Sequence, residues 1–184
     1  MEIEIKNIKH SRSLSQETNA FAADIFINGE KVGFCSNRGN GGCTSYNPIY
    51  SQNKKKTEHY RNQIAKAETF CKKLPPVKSD FGGNDFDMTL EFYIELKVED
   101  DLVQKNIKKV LKQFDKECLN SVFLIPKKEF DDFMQGKITR PSYRMFGWKR
   151  PIAEMPVEHL KKQLPAIFAK MKDGEFIYNK NLPE

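Results

Sequence analysis

Apolar residues alternate with polar ones near the start of the chain and shift to three- and four-residue spacing farther on. Ile3 and Ile5 alternate with Glu2, Glu4 and Lys6, the pattern of a half-buried strand, and the phase breaks near Asn7-Ile8. The polar run at residues 11–18 reads as a loop. Phe21, Ala23, Ile25 and Ile27 then share one face of a second strand. Asn28-Gly29 follows, a dipeptide whose two residues both tolerate positive φ and so suit a two-residue type I′ hairpin turn. Val32 and Phe34 continue the alternation on the return strand.

Beyond residue 50 the period changes. Lys54-Lys55-Lys56 leads into a helix with Thr57 as its expected N-cap and an apolar stripe of Tyr60, Ile64, Ala67, Phe70, Cys71 and Leu74. Pro75-Pro76 ends it. A turn-rich connection containing Gly82-Gly83-Asn84-Asp85 reads as a mobile loop. Residues 88–98 fit two periods, because Met88, Leu90, Phe92, Ile94, Leu96 and Val98 alternate while Leu90, Ile94, Val98 and Leu102 repeat every four. The four-residue repeat runs on through Ile107, Val110 and Phe114. One long helix is therefore expected, capped by Asp87 and open to interruption near Glu99-Asp100-Asp101. Val122-Phe123-Leu124-Ile125 is a short buried strand closed by Pro126. A last helix starts near Pro156, a residue suited to the first turn, with Pro165 expected to kink or split it. Phe176-Ile177-Tyr178 closes as a strand.

These elements predict an α+β fold, an N-terminal antiparallel hairpin or sheet packed against about three helices. The reading is one compact domain over residues 1–184, β-rich over 1–50 and mainly helical over 51–184. Fourteen phenylalanines supply bulk for a core, with 39% hydrophobic and 30% charged residues overall, which excludes wholesale disorder. No run is long enough to span a bilayer. The acidic, alternating start is unlike a secretion signal, so an intracellular setting is expected.

Charge changes the picture more through its distribution than through its net value of +6. Residues 51–80 and 121–150 are basic and residues 81–100 acidic, which can steer an anionic partner or pair internally. Cys35, Cys43, Cys71 and Cys118 contain no CxxC pair and read as free thiols. A zinc site from Cys35, Cys43 and one histidine has little support in the spacing. No cofactor and no metal are expected, although Glu91, Glu95, Glu99, Asp100 and Asp101 could gather a divalent cation if they shared a helix face.

Two segments carry the candidate chemistry. In Ser36-Asn37-Arg38-Gly39-Asn40-Gly41-Gly42, glycines free the backbone so that successive amides can form an anion-binding nest, with Arg38 adding a forked donor. Asn37, Arg38, Gly39, Asn40, Gly41 and Gly42 are the candidate phosphate ligands. The same glycines can also serve only to turn the chain. In residues 139–150, Arg140, Arg144, Lys149 and Arg150 interleave with Tyr143, Phe146 and Trp148, a mixture suited to neutralising phosphates while stacking bases. The alternative is a loop pinned to the core by its aromatics. Lys54-Lys55-Lys56 could touch phosphates or stay solvated. Ser13, Ser15 and Thr18 offer hydroxyls beside Glu17, with His10 as the one nearby base, but a polar turn before a strand is the better reading of them. No recognised catalytic signature is present.

The pattern Ser13-Leu14-Ser15-Gln16-Glu17-Thr18, then Phe21-Ala22, then Asn28-Gly29-Glu30-Lys31-Val32-Gly33, then Ser36-Asn37-Arg38-Gly39-Asn40-Gly41-Gly42, resembles a family of small proteins from bacteria, phages and mobile elements. The closing Ile177-Tyr178-Asn179-Lys180-Asn181-Leu182-Pro183 is similar to that family's end. The resemblance implies a small accessory protein, phage-encoded, in the cytoplasm of a bacterial host and directed against host defence, and it carries over no catalytic residue. The functional expectation is a non-enzymatic binding protein for a phosphate-bearing partner, either nucleic acid or a nucleotide signal. The alternative is a protein–protein inhibitor of a host defence enzyme or nucleic-acid-processing complex, anchored by Phe146 and Trp148. A hydrolase with an unrecognised site is the third reading.

Overall fold

A computed structural model of the chain describes residues 1–78 and 85–183. The Gly82-Gly83-Asn84 part of the connection expected to be mobile lies outside the described residues. The chain divides into two units, Met1–Asp101 and Leu102–Glu184, each taken in turn. The expected α+β class holds, with an antiparallel N-terminal sheet and helices. No helix among the described residues is long and apolar enough to cross a membrane.

The first unit is built on four antiparallel strands, β1 (Ile3–His10), β2 (Phe21–Ile27), β3 (Glu30–Asn37) and β4 (Ser45–Pro48), hydrogen-bonded in that order. The hairpin between β2 and β3 turns on Asn28 (φ 49°) and Gly29 (φ 83°) with Ile27 opposite Glu30, which is the two-residue turn expected. The phase break in β1 is a register shift between Lys6 and Lys9, where Asn7 takes φ 56° and its amide donates to Asp24 Oδ2 at 2.7 Å.

Phe21, Ala23, Ile25 and Ile27 are buried together, as their alternation predicts. Phe34 is not. A second register shift, between Ile25 and Phe26, sets two residues of β3 against one step of β2. That bulge reverses the phase, so Val32, Cys35 and Asn37 are buried while Phe34 is 45% exposed on the opposite face.

Helix α1 (Lys54–Cys71) lies against β3 and β4. Asn53, not Thr57, caps it, accepting from the amides of Lys55 and Lys56. Thr57 instead exchanges hydrogen bonds with the backbone of Ser51. Ile64, Ala67 and Cys71 are buried. Ile64 packs at Gly33, whose missing Cβ leaves room for the Asn47 carbonyl. Helix α2 (Leu90–Glu117) is a single helix, as the four-residue repeat predicts, and runs without interruption through Glu99-Asp100-Asp101. Its cap is Thr89, whose hydroxyl accepts from the Phe92 amide at 3.1 Å, rather than Asp87. Leu90, Ile94 and Val98 are buried, and the Tyr93 hydroxyl donates to the Ile3 carbonyl. Burial of each such side chain contributes about 1.5–3 kcal/mol before entropic costs. With the helices on one side, the sheet keeps its other face in water.

The second unit takes over α2 at residue 102 and centres on β5 (Ser121–Pro126), flanked antiparallel by β6 (Arg144–Gly147) and β7 (Glu175–Ile177). Residues 51–184 thus carry a three-stranded sheet besides their helices. Five successive residues of β5 are buried because both of its faces are covered. Phe123 and Ile125 join Ile107, Val110, Phe114, Cys118 and Phe133, the last from α3 (Lys127–Met134). Val122 and Leu124 join Ile152, from a short 3-10 turn, and Leu160, Leu164 and Ile167 of α4 (Val157–Phe168). A strand sealed on both sides has no polar face to alternate, which is why its sequence is continuously apolar. Pro165 sits inside α4 without splitting it.

Asn179 fastens the start of β5. Its Oδ1 accepts from the Phe123 amide and its Nδ2 donates to the Ser121 carbonyl, both at 2.8 Å. Arg144 grips Glu175 across the sheet with Nε 3.0 Å from Oε1 and a second contact from Nη2 to Oε2. The Lys172 amide adds a third donor to this carboxylate. Chiefly through the Arg144 hydrogen bonds, the Glu175 carboxyl is held down at about 2. A carboxyl whose folded pKa is lowered stabilises the protein above its ordinary value of 4.5 and loses that contribution as the pH falls toward about 2. Unfolding midpoints of the native protein and of Glu175→Gln should therefore differ most above about pH 5 and converge near pH 2. A constant difference across that range would contradict this account.

Candidate functional site

The glycine-rich loop leaves β3 at Asn37, and Asn37 organises it from within. This side chain is buried and uses all of its amide capacity. Oδ1 accepts from Thr18 Oγ1 (3.0 Å) and the Gly39 amide (2.8 Å), while Nδ2 donates to the Gly42 carbonyl (2.8 Å) and Thr44 Oγ1 (3.1 Å). Gly39, at φ 87°, is buried with its carbonyl accepting from the amides of Gln16, Glu17 and Thr18. A cluster of convergent amides does exist here, but it belongs to residues 16–18 and it already holds an oxygen of the chain itself.

Carboxylates surround the same loop. Glu17 fills the space beside Gly41 where a Cβ would stand, and the Gly41 amide points to Thr18 Oγ1. Glu91 Oε1 accepts from the Thr44 amide at 2.9 Å, and Glu95 Oε1 from the Thr44 hydroxyl at 2.7 Å. These two residues, one helical turn apart on α2, tie down the end of the loop. The expectation that Asn37, Gly39 and Gly41 ligate an anion is corrected accordingly. Their polar groups are engaged inside the fold, with Glu17, Glu91 and Glu95 at the edges of the loop. Arg38, Asn40 and Gly42 stay exposed.

The basic aromatic segment is likewise drawn inward, within the second unit. Tyr143 stacks on Phe123 with ring centroids 5.0 Å apart and meets Phe114 edge-on at 5.2 Å. Arg140 lies over the Phe114 and Tyr143 rings and donates to Gln113 Oε1 and the Tyr143 hydroxyl. Arg144 is committed to Glu175 and the Lys170 carbonyl. Phe146 and Trp148 pack against the α4-side core, and the Trp148 indole donates to Gln163 Oε1 at 2.6 Å. The segment is pinned by its aromatics, which corrects the expectation for Arg140, Tyr143, Arg144, Phe146 and Trp148 as free contacts. Arg140, Lys149 and Arg150 are the exposed members of the group, and Arg140 is engaged by the ring and hydrogen-bond contacts above. The two candidate segments lie in different units.

The remaining candidates resolve locally. Ser15 Oγ does lie 3.1 Å from His10 Nε2, but it donates to the Ser11 carbonyl at 2.8 Å and accepts from the Ala20 amide. The hydroxyl's one proton is spent on the backbone, so the contact locks a turn rather than activating a nucleophile. Cys35 is buried and donates to the Ala23 carbonyl, and burial pushes its thiol up to about 12. Among the described residues, no three histidines, cysteines or acids gather in a way that could hold a metal.

What sequence reasoning missed is the open face of the first sheet. Cross-strand partners place Lys9, Ala22, Ser36 and Ser45 in one row, and Lys6, Asp24, Phe34 and Asn47 in the next. Glu4, Phe26 and Lys31 form a third. The first row is small in its middle, and beside Phe34 it leaves a concavity of about 670 Å³ that reaches from Asn7 and Lys9 to Asn47. A second hollow of about 520 Å³, lined by Arg38, Asn40 and Cys43, shares Ser36 and Ser45 with the first.

Lys31 pairs with Asp24 at 2.8 Å and Lys6 with Glu4 at 2.9 Å. Hydrogen bonds from Lys31 and then Asn7 hold the Asp24 carboxyl below its ordinary value. Lys9 in the first hollow and Arg38 in the second are exposed, so that the face carries two cations more than it has anions. The signal that could have revealed this face is Gly33, since an isolated glycine within a strand pattern often marks a bulge. Read that way, Phe34 moves outward.

Comparison with protein-family models, with curated proteins and with solved structures finds no match to this chain.

Proposed function

We propose that the protein is a binding protein for a phosphate-bearing partner, held on the open face of the N-terminal sheet. The observation that carries this reading is the pair of adjoining hollows that share Ser36 and Ser45, the first lined by Lys9 and the exposed Phe34 and the second by Arg38. This retains the class of function read from the sequence and relocates its site. Arg38 and Asn40 contribute from the rim of the glycine-rich loop, while Asn37 and Gly39 keep that rim in shape. Lys9 feels the Asp24 carboxylate only at a distance, and a cation outside any close ion pair is the least costly group to give to a phosphate, because no such pair has to break. The setting implied by the resemblance, a small accessory protein of a phage or mobile element, belongs to the same proposal.

Titration of fluorescent oligonucleotides and nucleotides at low ionic strength tests the reading. Binding should weaken log-linearly with added salt. The double variant Lys9→Ala/Arg38→Ala should lose about tenfold or more in affinity at low salt, with its unfolding midpoint unchanged. Absence of any binding by the folded protein, or full affinity in the double variant, would refute it.

A further inference from the structure

Resting on that reading of the face, we infer that the partner is a single-stranded nucleic acid, with one unpaired base stacked on Phe34. Phe34 projects at 45% exposure from the middle of the sheet, on a strand bonded on both sides. An aromatic ring left in water at such a place offers a π-face that any base can cover, at about 1–3 kcal/mol per base stacked.

Its surroundings set the shape of the guest. The adjoining row Ala22, Ser36, Ser45 carries no side chain longer than a hydroxymethyl, so a planar group can lie beside the ring without steric conflict. Lys31 approaches the ring at 6.0 Å from its centroid, and Asp24 and Asn47 stand opposite Phe34 on the neighbouring strands. These three supply donors and acceptors at the edge of a stacked base. Cross-strand spacing of about 4.8 Å places Lys9, two strands away from β3 and in the Ser36 row, about 10 Å across the sheet. Arg38, four residues along β3 on the same side of Phe34 as that row, lies about 13 Å away along the strand. A flexible chain can reach both cations while turning a base down onto the ring.

Duplex nucleic acid cannot do so, because its bases present edges rather than faces to a protein and a face is exposed only by unstacking. Inorganic polyphosphate has the charge but nothing to stack. The charge excess of the face, two cations, is small, so aromatic stacking must contribute a sizeable part of any affinity.

The test compares three probes on the full chain at one low salt concentration: a short single-stranded oligonucleotide, the duplex of the same sequence, and inorganic polyphosphate. The single strand should bind at least tenfold more tightly than either of the others. Phe34→Ala should lower its affinity about 5- to 100-fold, while Phe34→Trp keeps or raises it. Because Phe34 is partly exposed and lies outside the buried core, both variants should stay folded with a cooperative unfolding transition, which separates lost stacking from lost folding. If duplex or polyphosphate binds as well as the single strand and Phe34→Ala is silent, the stacking inference fails while the phosphate-binding reading stands. If none of the three probes binds, the broader reading fails with it. Capture of a protein partner that Phe34→Ala abolishes, without nucleic-acid binding, would overturn both in favour of a protein interface.

Discussion

Gly39→Ala should destabilise the N-terminal unit by about 2–5 kcal/mol and lower its thermal midpoint by roughly 10 °C or more. Two costs add. The residue holds φ 87°, a conformation that charges an L side chain about 1–2 kcal/mol. The new methyl would also stand 2.9 Å from the Ala20 Cβ and closer still to the Leu14 carbonyl, an overlap costing about 1–3 kcal/mol. Neither neighbour yields easily, one being backbone and the other a buried side chain. Displacing Gly39 also withdraws the carbonyl that the amides of residues 16–18 share. Gly42→Ala is the matched control, since a Cβ there meets nothing within 4 Å. Chemical denaturation of both variants decides the matter. Equal stability for the two would mean that the loop is not locked as described.

Phe123→Ala should cost about 3–5 kcal/mol and leave the second unit without a well-packed core. Phe123 is fully buried in the central strand and is touched by rings on two sides, Phe114 at 5.4 Å and Tyr143 at 5.0 Å. Removing it opens a hole that neither ring can fill without leaving its own contacts, and partial collapse accounts for the spread in the expected cost. The same substitution frees Tyr143, so near-ultraviolet circular dichroism should weaken together with stability. A loss under about 1 kcal/mol would mean that the segment 140–150 does not lean on this core.

How much of this was legible in the sequence follows the range of the interactions concerned. The hairpin at Asn28-Gly29 rests on the φ preferences of two adjacent residues, and it is where the pattern places it. The four-residue repeat from Leu90 to Phe114 outweighs the equally regular alternation of residues 88–98, because it persists over seven turns where the alternation stops. The sealed strand β5 is visible as an unbroken apolar run. Caps were harder to place, since Asn53 and Thr57, or Thr89 and Asp87, are chemically similar and only a turn or less apart.

The candidate site was read less well, for two physical reasons. A bulge opposite Val32 moves Phe34 to the other side of the sheet, and one extra residue leaves almost no mark on composition. The Asn37 side-chain oxygen and the Gly39 carbonyl find partners far back in the chain, at residues 16–18, and Thr44 finds partners at Glu91 and Glu95. A loop rich in donors looks the same in sequence whether those donors face solvent or the fold. Interleaved arginines and aromatics are equally ambiguous, because a guanidinium lies over a core ring, as Arg140 does over Phe114, as readily as over a base.

The position of β5 between two late-arriving neighbours has a consequence for synthesis. Its apolar run, Val122 to Ile125, leaves the ribosome well before β6 and long before β7 and the Asn179 clasp that fastens its start. Until residues 175–179 emerge, the most oily stretch of the polypeptide has one edge bare, open to pairing with a neighbouring nascent chain. The N-terminal sheet draws its partners from nearby sequence and has no such wait. Interruption of translation between residues 126 and 175 should yield a product that aggregates through β5.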